Sequence, residues 1–462
     1  ISGQLASQGI TPSNRAAIVL PNGPEMATAF LSISSYMSAA PLNPSYKLKE
    51  YEFYLQDLMP KIVIVEKDSQ NPAVEAAKNL GIEICEIKKI DNAPAGIFNL
   101  YNKTTNFELA TENNEALVLH TSGTTSRPKV VPLTNKNIFS SATNIANSLQ
   151  LSSQDHCYNI MPLFHIHGLI AVLSSSINAG ASVYASSGFN ALKFLETADK
   201  ESITWYSGVP TMHQAILMRA KKNPKLAEEL SLRFIRSSSA SLPPAVFDEL
   251  KKIFKTTVIE AYGMTEATHQ MTSNPMPPEK QKAGFVGKPA GPEVCIMDAQ
   301  GNKLDSGVDG EVCIRGDNVT NGYENNEEAN KTAFINGWFR TGDQGHFDDE
   351  GYLKISGRLK EIINRGGEKV SPLEVDNILM EHEAVEQVVT FAVKDNLLGE
   401  AIGVAIVLKS GIDCNETDIK NYARKHLADF KIPKYIRFLE EIPKGATGKL
   451  QRIGLAEKLG LE

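Results

Sequence analysis

The amino-acid sequence predicts an α/β protein: a large N-terminal domain of helix-flanked sheets plus a small β-subdomain, hinged to a small α+β C-terminal domain. Three observations carry this. Through the first half, short apolar runs alternate with helix-length amphipathic stretches, the pattern of parallel strands covered by helices. After about Asn274 helices disappear and short strands with glycine turns take over. Beyond about Lys360 helices and strands mix again, as in a separate unit. The chain has 462 residues, and single cores stop growing near about 250–300 residues. The expected domains are 1–359, with the β-subdomain at about 275–355, and a mobile C-terminal domain at 360–462.

Element by element, "AAIVL" (Ala16 to Leu20) is a short buried strand, and Pro24 opens a helix through Met37, since proline suits a first helical turn. "KIVIV", a helix from Pro72 and "IEICEI" repeat the theme. "EALVLH" feeds a hydroxyl-rich loop, and "ITWYS", "LRFIRS" and "TVIEAY" continue the strand series. "VCIMDAQGN" and "GEVCIRG" are the strands of the β-subdomain. "LEVDNILMEHE", "VEQVVTFAV", "IGVAIVL" and "ETDIKNYARKHL" form the last unit.

Bulk properties remove several classes. A net charge of −7 argues against nucleic acid as the partner, because phosphate-backbone binding needs clustered positive charge. No apolar run reaches the ~18 residues of a membrane span. The five cysteines are scattered, without C-x-x-C, and read as reduced thiols of a cytoplasmic compartment. The opening "ISGQLASQGI" reads as starting partway into a helix, so the natural N-terminus is expected to be missing, and any address there would be invisible. The end "EKLGLE" is not the peroxisomal S-K-L, which leaves a peroxisomal location open only through such a missing signal.

"HTSGTTSRPKVV", His120 to Val131, is the first chemical signal. Gly123 allows backbone to approach a ligand closely, Thr121, Ser122, Thr124, Thr125 and Ser126 supply hydroxyls, and Lys129 adds a cation. The spacing is not G-x-x-x-x-G-K-[ST], and Pro128 blocks an immediate helix. The loop is expected to link two strands and hold phosphate without a helix dipole. A plain hydroxyl-rich surface turn is the competing reading.

The loop resembles the phosphate loop of the adenylate-forming enzymes, a family of acyl-CoA synthetases, luciferase-like enzymes and peptide-synthetase adenylation domains. Ser126 and Val130 depart from that pattern, each standing where glycine is usual. Four further segments resemble family motifs in family order: "EAYGMTEATH", "RTGDQG" with "GRLKEI", "INRGGEKVSP" and "PKGATGKLQR". The resemblance covers essentially the whole chain. It implies Mg-ATP, coenzyme A and a small carboxylic acid as the partners of a ligase that is a monomer or weak homodimer.

It also implies roles. Thr265 would bond the α-phosphate, Glu266 would hold Mg²⁺, and Tyr262 would stack on adenine. Ser238 and Ser239 stand at glycine positions of an adenine-contacting turn. Ala240, Glu260, Ala261 and Gly263 would complete the nucleotide contacts. Asp343 would accept from the ribose hydroxyls, with Arg358 beside it. Lys360 would be the hinge, Gly366 and Gly367 would line the pantetheine channel, and Lys449 would meet the substrate carboxylate and α-phosphate during adenylation.

The acid is expected to be small and polar. "MPLFHIHGL" resembles the family's P-x-F-H motif, with His165 beside the reacting carboxylate. His167, Ser237, Ser239 and His269 add polar groups where a fatty-acyl pocket needs apolar walls. The set looks most like the oxalate–CoA ligase branch. A zinc pair at His165 and His167 is disfavoured by the absence of a third ligand. Arg236 has the right charge for a second carboxylate, but its place on a buried strand before the turn points it away. The alternatives are a ligase for medium-chain or 4-coumarate-like acids and, less favoured, an amino-acid adenylation domain.

Overall fold

The computed structural model describes residues 1–121, 128–444 and 450–461. A six-stranded sheet runs Glu83–Glu86, Ile62–Val65, Arg15–Val19, Ser38–Pro41, Glu115–His120, Val130–Thr134 in spatial order. All its pairs are parallel except the last, an antiparallel hairpin that joins the two strands flanking the hydroxyl-rich loop. A seven-stranded sheet runs Ser182–Ala185, His156–Asn159, Trp205–Gly208, Phe234–Ser237, Thr257–Met264, His269–Ser273, Lys288–Pro289, parallel through its first five strands.

The inner strands of both sheets are buried on both faces, which is why runs such as Ile62–Val65 and Arg15–Val19 read as near-continuous apolar stretches. Along the first strand, Ala16 and Ile18 join the core between the sheets, while Ala17 and Val19 face the helices on the far side. In the second sheet Trp205 and Phe234 face inward, and Tyr206 and Ile235 meet the outer helices through Phe194 and Leu250. Period-two alternation therefore sorts apolar residues between two cores rather than between core and water.

The third sheet, Glu293–Met297, Gly310–Arg315, Trp338–Phe347, Phe334–Ile335 and Leu353–Arg358, is antiparallel throughout. Helices do not vanish in this region, contrary to the sequence expectation. Glu327–Ala333 is helical, started by Asn326, whose side chain accepts from the Ala329 amide at 3.1 Å. Two acidic residues in its first turn favour the helix dipole, a signal present in "NNEEANKT".

The last sheet holds Glu368–Val370, Ile363–Arg365, Gly399–Leu408, Val385–Asp395 and Tyr435–Phe438, with helices Pro372–Met380 and Glu416–His426 against it. Among the described residues, every apolar core cluster lies wholly within residues up to Ile355 or wholly from Ile363 onward. A division near Lys360 is the proposal these separate cores support. No helix among the described residues is long and apolar enough to cross a membrane.

Candidate active site

The carboxyl ends of three adjacent parallel strands, Trp205–Gly208, Phe234–Ser237 and Thr257–Met264, gather most of the expected site. Open parallel sheets bind ligands at such strand ends. Past the second strand, Ser239 takes a left-handed φ of 72°, a conformation that favours glycine. Ser238 turns its hydroxyl back into the sheet, donating to the Ala261 carbonyl at 2.8 Å. Ala240 is exposed at the tip of the turn.

Glu260 stands behind that turn rather than in the open cleft. It is buried, and its Oε1 accepts from the Leu242 amide at 2.9 Å. Burial pushes its carboxyl up to about 8. Gly263 is required where the strand doubles back, because an added Cβ would lie 1.9 Å from the His269 carbonyl oxygen.

Tyr262 and Asp343 are brought together: the tyrosine hydroxyl donates to Asp343 Oδ2, and Arg358 Nε lies 3.0 Å from Asp343 Oδ1. Register pairing of Asp343 with Arg358 on neighbouring strands sets this contact. The Asp343 carboxylate raises the Arg358 guanidinium. Lys360 is exposed two residues further on.

Glu266 is buried, and its Oε1 accepts from the Tyr323 hydroxyl at 2.8 Å. Burial raises its carboxyl, opposed by the Tyr323 bond and by the charges of Arg358 and Lys129. Lys129 Nζ lies 4.2 Å from the centre of the Tyr323 ring, and burial lowers its ammonium. No cluster of three or more His, Cys, Asp or Glu able to hold a metal occurs among the described residues. A single buried carboxylate fits magnesium, which keeps waters and takes its other oxygens from substrate phosphates.

The loop neck is closed by Thr121 N–H to the Lys129 carbonyl at 2.9 Å and by Lys129 N–H to Thr121 Oγ1 at 3.2 Å. Ser122, Gly123, Thr124, Thr125 and Ser126 lie outside the described residues, as does Lys449. Val130 is accounted for: it pairs with His120 in the hairpin, is buried, and its carbonyl accepts from the Glu324 amide at 3.0 Å. A β-branched residue suits that strand position better than glycine.

A small cavity beside the loop neck is lined by His120, Phe164, His165, Thr265 and Tyr54. It joins His165, expected beside the reacting carboxylate, and Thr265, expected at the α-phosphate, to His120, for which no role was expected. His120 Nε2 lies 2.8 Å from Asp57 Oδ2, an ion pair when the imidazole is protonated.

The residues expected at the acyl group centre on His167, which starts the π-helix His167–Ser174 and is buried. Its Nδ1 is 3.0 Å from Ser239 Oγ and its Nε2 is 2.6 Å from Ser207 Oγ. His269 is buried too, with its ring 5.0 Å from that of His167. Ser237 is buried, and its hydroxyl has no hydrogen-bond partner among the described residues.

Arg236 does not point away, and the sequence expectation is corrected here. Register pairing places Ser207 directly across from it, so both side chains leave the same face. Arg236 Nη1 donates to Ser207 Oγ at 3.4 Å and Nη2 to Gln270 Oε1 at 3.1 Å. The guanidinium is fully buried, Nε has no partner, and no carboxylate lies within ion-pair distance among the described residues. Burial lowers it to about 9. A charge inside the apolar run "RFIRS" was the available signal; Gln270 and Tyr323 had none.

Gly366 and Gly367, with φ of 61° and 93°, form the two-residue turn of the hairpin Ile363–Arg365 to Glu368–Val370. The Gly366 amide donates to the Leu398 carbonyl at 2.8 Å.

The arrangement can hold a nucleotide across the strand ends and an anion beside His167 and Arg236, and comparison with known proteins agrees with its overall form. The AMP-binding enzyme family matches residues 1–324, and the AMP-binding enzyme C-terminal domain matches residues 374–449. The oxalate–CoA ligase of Arabidopsis thaliana is 46% identical, over 97% of this chain and 89% of that protein. The oxalate–CoA ligase of Saccharomyces cerevisiae is 43% identical, over 96% of this chain and 86% of that protein. The solved structure of the Bacillus subtilis O-succinylbenzoate coenzyme A synthetase in complex with ATP and magnesium ion superimposes with a TM-score of 0.83. It is 28% identical and covers 98% of this chain and 91% of that one. With the motifs, the fold and near-complete coverage in accord, the chain belongs to the AMP-binding enzyme family.

Proposed function

We propose that this protein is an AMP-forming acid–thiol ligase that converts oxalate, ATP and coenzyme A to oxalyl-CoA, AMP and diphosphate. The observation that carries the choice of acid is Arg236, a fully buried guanidinium without a carboxylate partner among the described residues. Ser207 links it to His167, and the His269 ring packs against His167. Leaving a buried cation uncompensated is costly unless a ligand supplies the missing charge. The second carboxylate of a small diacid does so, with charge-assisted hydrogen bonds that a neutral acyl tail cannot make. The similarity to two oxalate–CoA ligases supports the same reading.

In the first half-reaction one oxalate carboxylate oxygen attacks the α-phosphorus of ATP. The new O–P bond forms as the bond to the β-phosphate oxygen breaks, and diphosphate leaves. His165 and Thr265 line the cavity beside the loop neck; His165 would orient the reacting carboxylate and Thr265 the α-phosphate. Asp343, held by Arg358 and Tyr262, would hold the ribose. Lys449 would add positive charge where the transition state spreads negative charge. Magnesium, when bound at Glu266, supplies charge neutralisation on the phosphates.

In the second half-reaction the coenzyme A thiol, losing its proton, attacks the adenylate carbonyl carbon. A C–S bond forms, the C–O bond to phosphate breaks, and AMP leaves. Rotation of 360–462 about Lys360 would exchange Lys449 for the Gly366–Gly367 turn between the steps. The turn would line the pantetheine arm with backbone alone. Oxalate, malonate, acetate, octanoate and coumarate, each with and without coenzyme A, form the test panel. Oxalate should lead in diphosphate release and need coenzyme A for thioester. Strong octanoate turnover with none for oxalate would end this reading.

A further inference from the structure

We propose that Arg452 is a positioning residue that ties the loop bearing Lys449 to the inter-domain linker through Glu361, and so sets Lys449 for the adenylation step. The inference rests on the proposed role of Lys449.

Arg452 follows Lys449 by three residues. Between them the loop neck is closed, by an antiparallel bridge between Lys444 and Leu450 and by the Gln451 amide donating to the Pro443 carbonyl at 2.9 Å. Whatever holds Arg452 therefore holds the base of the loop. Its guanidinium is mostly withdrawn from water and engaged on three sides. Nη1 donates to the Thr390 carbonyl, Nη2 lies 2.8 Å from Asp376 Oδ2, and Nε lies 3.4 Å from Glu361 Oε2. Asp376 is itself fixed, its Oδ1 accepting from the Thr390 amide at 2.6 Å.

Asp376 is the nearer of the two carboxylates to Arg452. It neutralises Arg452, belongs to the same core, and anchors helix Pro372–Met380 to strand Val385–Asp395. Glu361 adds a second, largely buried carboxylate beside Arg452, raised by burial against the opposing charges of Arg452 and Arg358. What Glu361 contributes is its place in the chain: it directly follows Lys360. Its amide donates to the Arg358 carbonyl at 2.8 Å, and Arg358 is paired with Asp343. The two ion pairs, Arg358–Asp343 and Glu361–Arg452, thus flank Leu359 and Lys360 and confine any pivot to those residues. Engagement of a nucleotide at Asp343 is mechanically continuous with the base of the Lys449 loop.

The test separates the half-reactions. ATP–pyrophosphate exchange reads adenylation; thioester formation from chemically prepared acyl-adenylate reads the second step. Glu361→Gln should lower the exchange rate about tenfold, the size of one lost charge-assisted contact. Thioester formation and the thermal midpoint should stay close to wild type. Arg452→Gln should lower exchange further, and Arg452→Lys should recover part of it, because an ammonium reaches some but not all of three acceptors. Equal loss in both half-reactions, or no loss of exchange in Glu361→Gln, overturns the proposal. Lys449→Ala serves as the control. If it cripples exchange while Glu361→Gln does not, the inference alone fails. If Lys449→Ala leaves exchange intact, the adenylation reading falls and takes the inference with it.

Discussion

Arg236 and Arg452 are both withdrawn from water, and the molecule treats them in opposite ways. Arg452 has two carboxylates and a carbonyl around it. Arg236, more deeply buried, has only a serine hydroxyl and a glutamine carbonyl oxygen among its described partners. The first arrangement is charge-compensated by the protein; the second, among the described residues, is not. A buried cation left short of an anion marks where a charge is to arrive from outside, whereas a compensated one marks where the fold must stay put.

The comparison can be broken by giving each arginine what the other has. Ser207→Asp supplies Arg236 with its own carboxylate. Oxalate turnover should fall about a hundredfold or more, because the substrate's second carboxylate then meets a neutralised and crowded site. Steady-state kinetics with the fold checked by circular dichroism measures it. Asp376→Asn takes the principal partner from Arg452 and should cost about 3 kcal/mol of stability, read by denaturant unfolding of the whole chain. Removing only the relay between Arg236 and His167, in Ser207→Ala, should raise the KM for oxalate about tenfold with little change in unfolding.

The smallest effect is a pH dependence. Glu260 has its carboxyl raised to about 8 by burial, so the folded state holds its proton over a range where the unfolded chain, near 4.5, has lost it. Stability from this group is full below about 4.5 and is lost progressively as pH rises toward about 8. Glu260→Gln keeps the oxygen that accepts from Leu242 and removes the titration. Its melting temperature should therefore fall less than that of the wild type between pH 5.5 and pH 8. Parallel curves would show that Glu260 does not carry the proton.

The two arginines also show what the sequence disclosed. The layered α/β fold was legible because double-sided burial writes apolar runs directly into the chain, as in "KIVIV" and "AAIVL". The residues expected at the nucleotide come from short contiguous motifs, several of which lie at strand ends. The surroundings of the residues expected at the acyl group were only half legible. His167 and His269 announce themselves as polar residues in apolar or motif settings, yet the direction of Arg236 depends on strand register with Ser207, which no local pattern states. The helix Glu327–Ala333 was missed although its asparagine cap and acidic first turn were on view. Glu361 and Arg452 each ended a motif read for another residue, and their pairing across 91 positions is a tertiary fact.

The most direct measurement is the ratio of kcat/KM for oxalate to that for glyoxylate, in the wild type and in Arg236→Leu. Glyoxylate keeps the reacting carboxylate and replaces the second with a neutral aldehyde. The wild type should favour oxalate by about a hundredfold or more. Arg236→Leu should bring the ratio near one by losing oxalate while glyoxylate stays within about threefold. A ratio unchanged by the substitution, or an equal loss of both acids, would contradict the assignment of Arg236 to the second carboxylate.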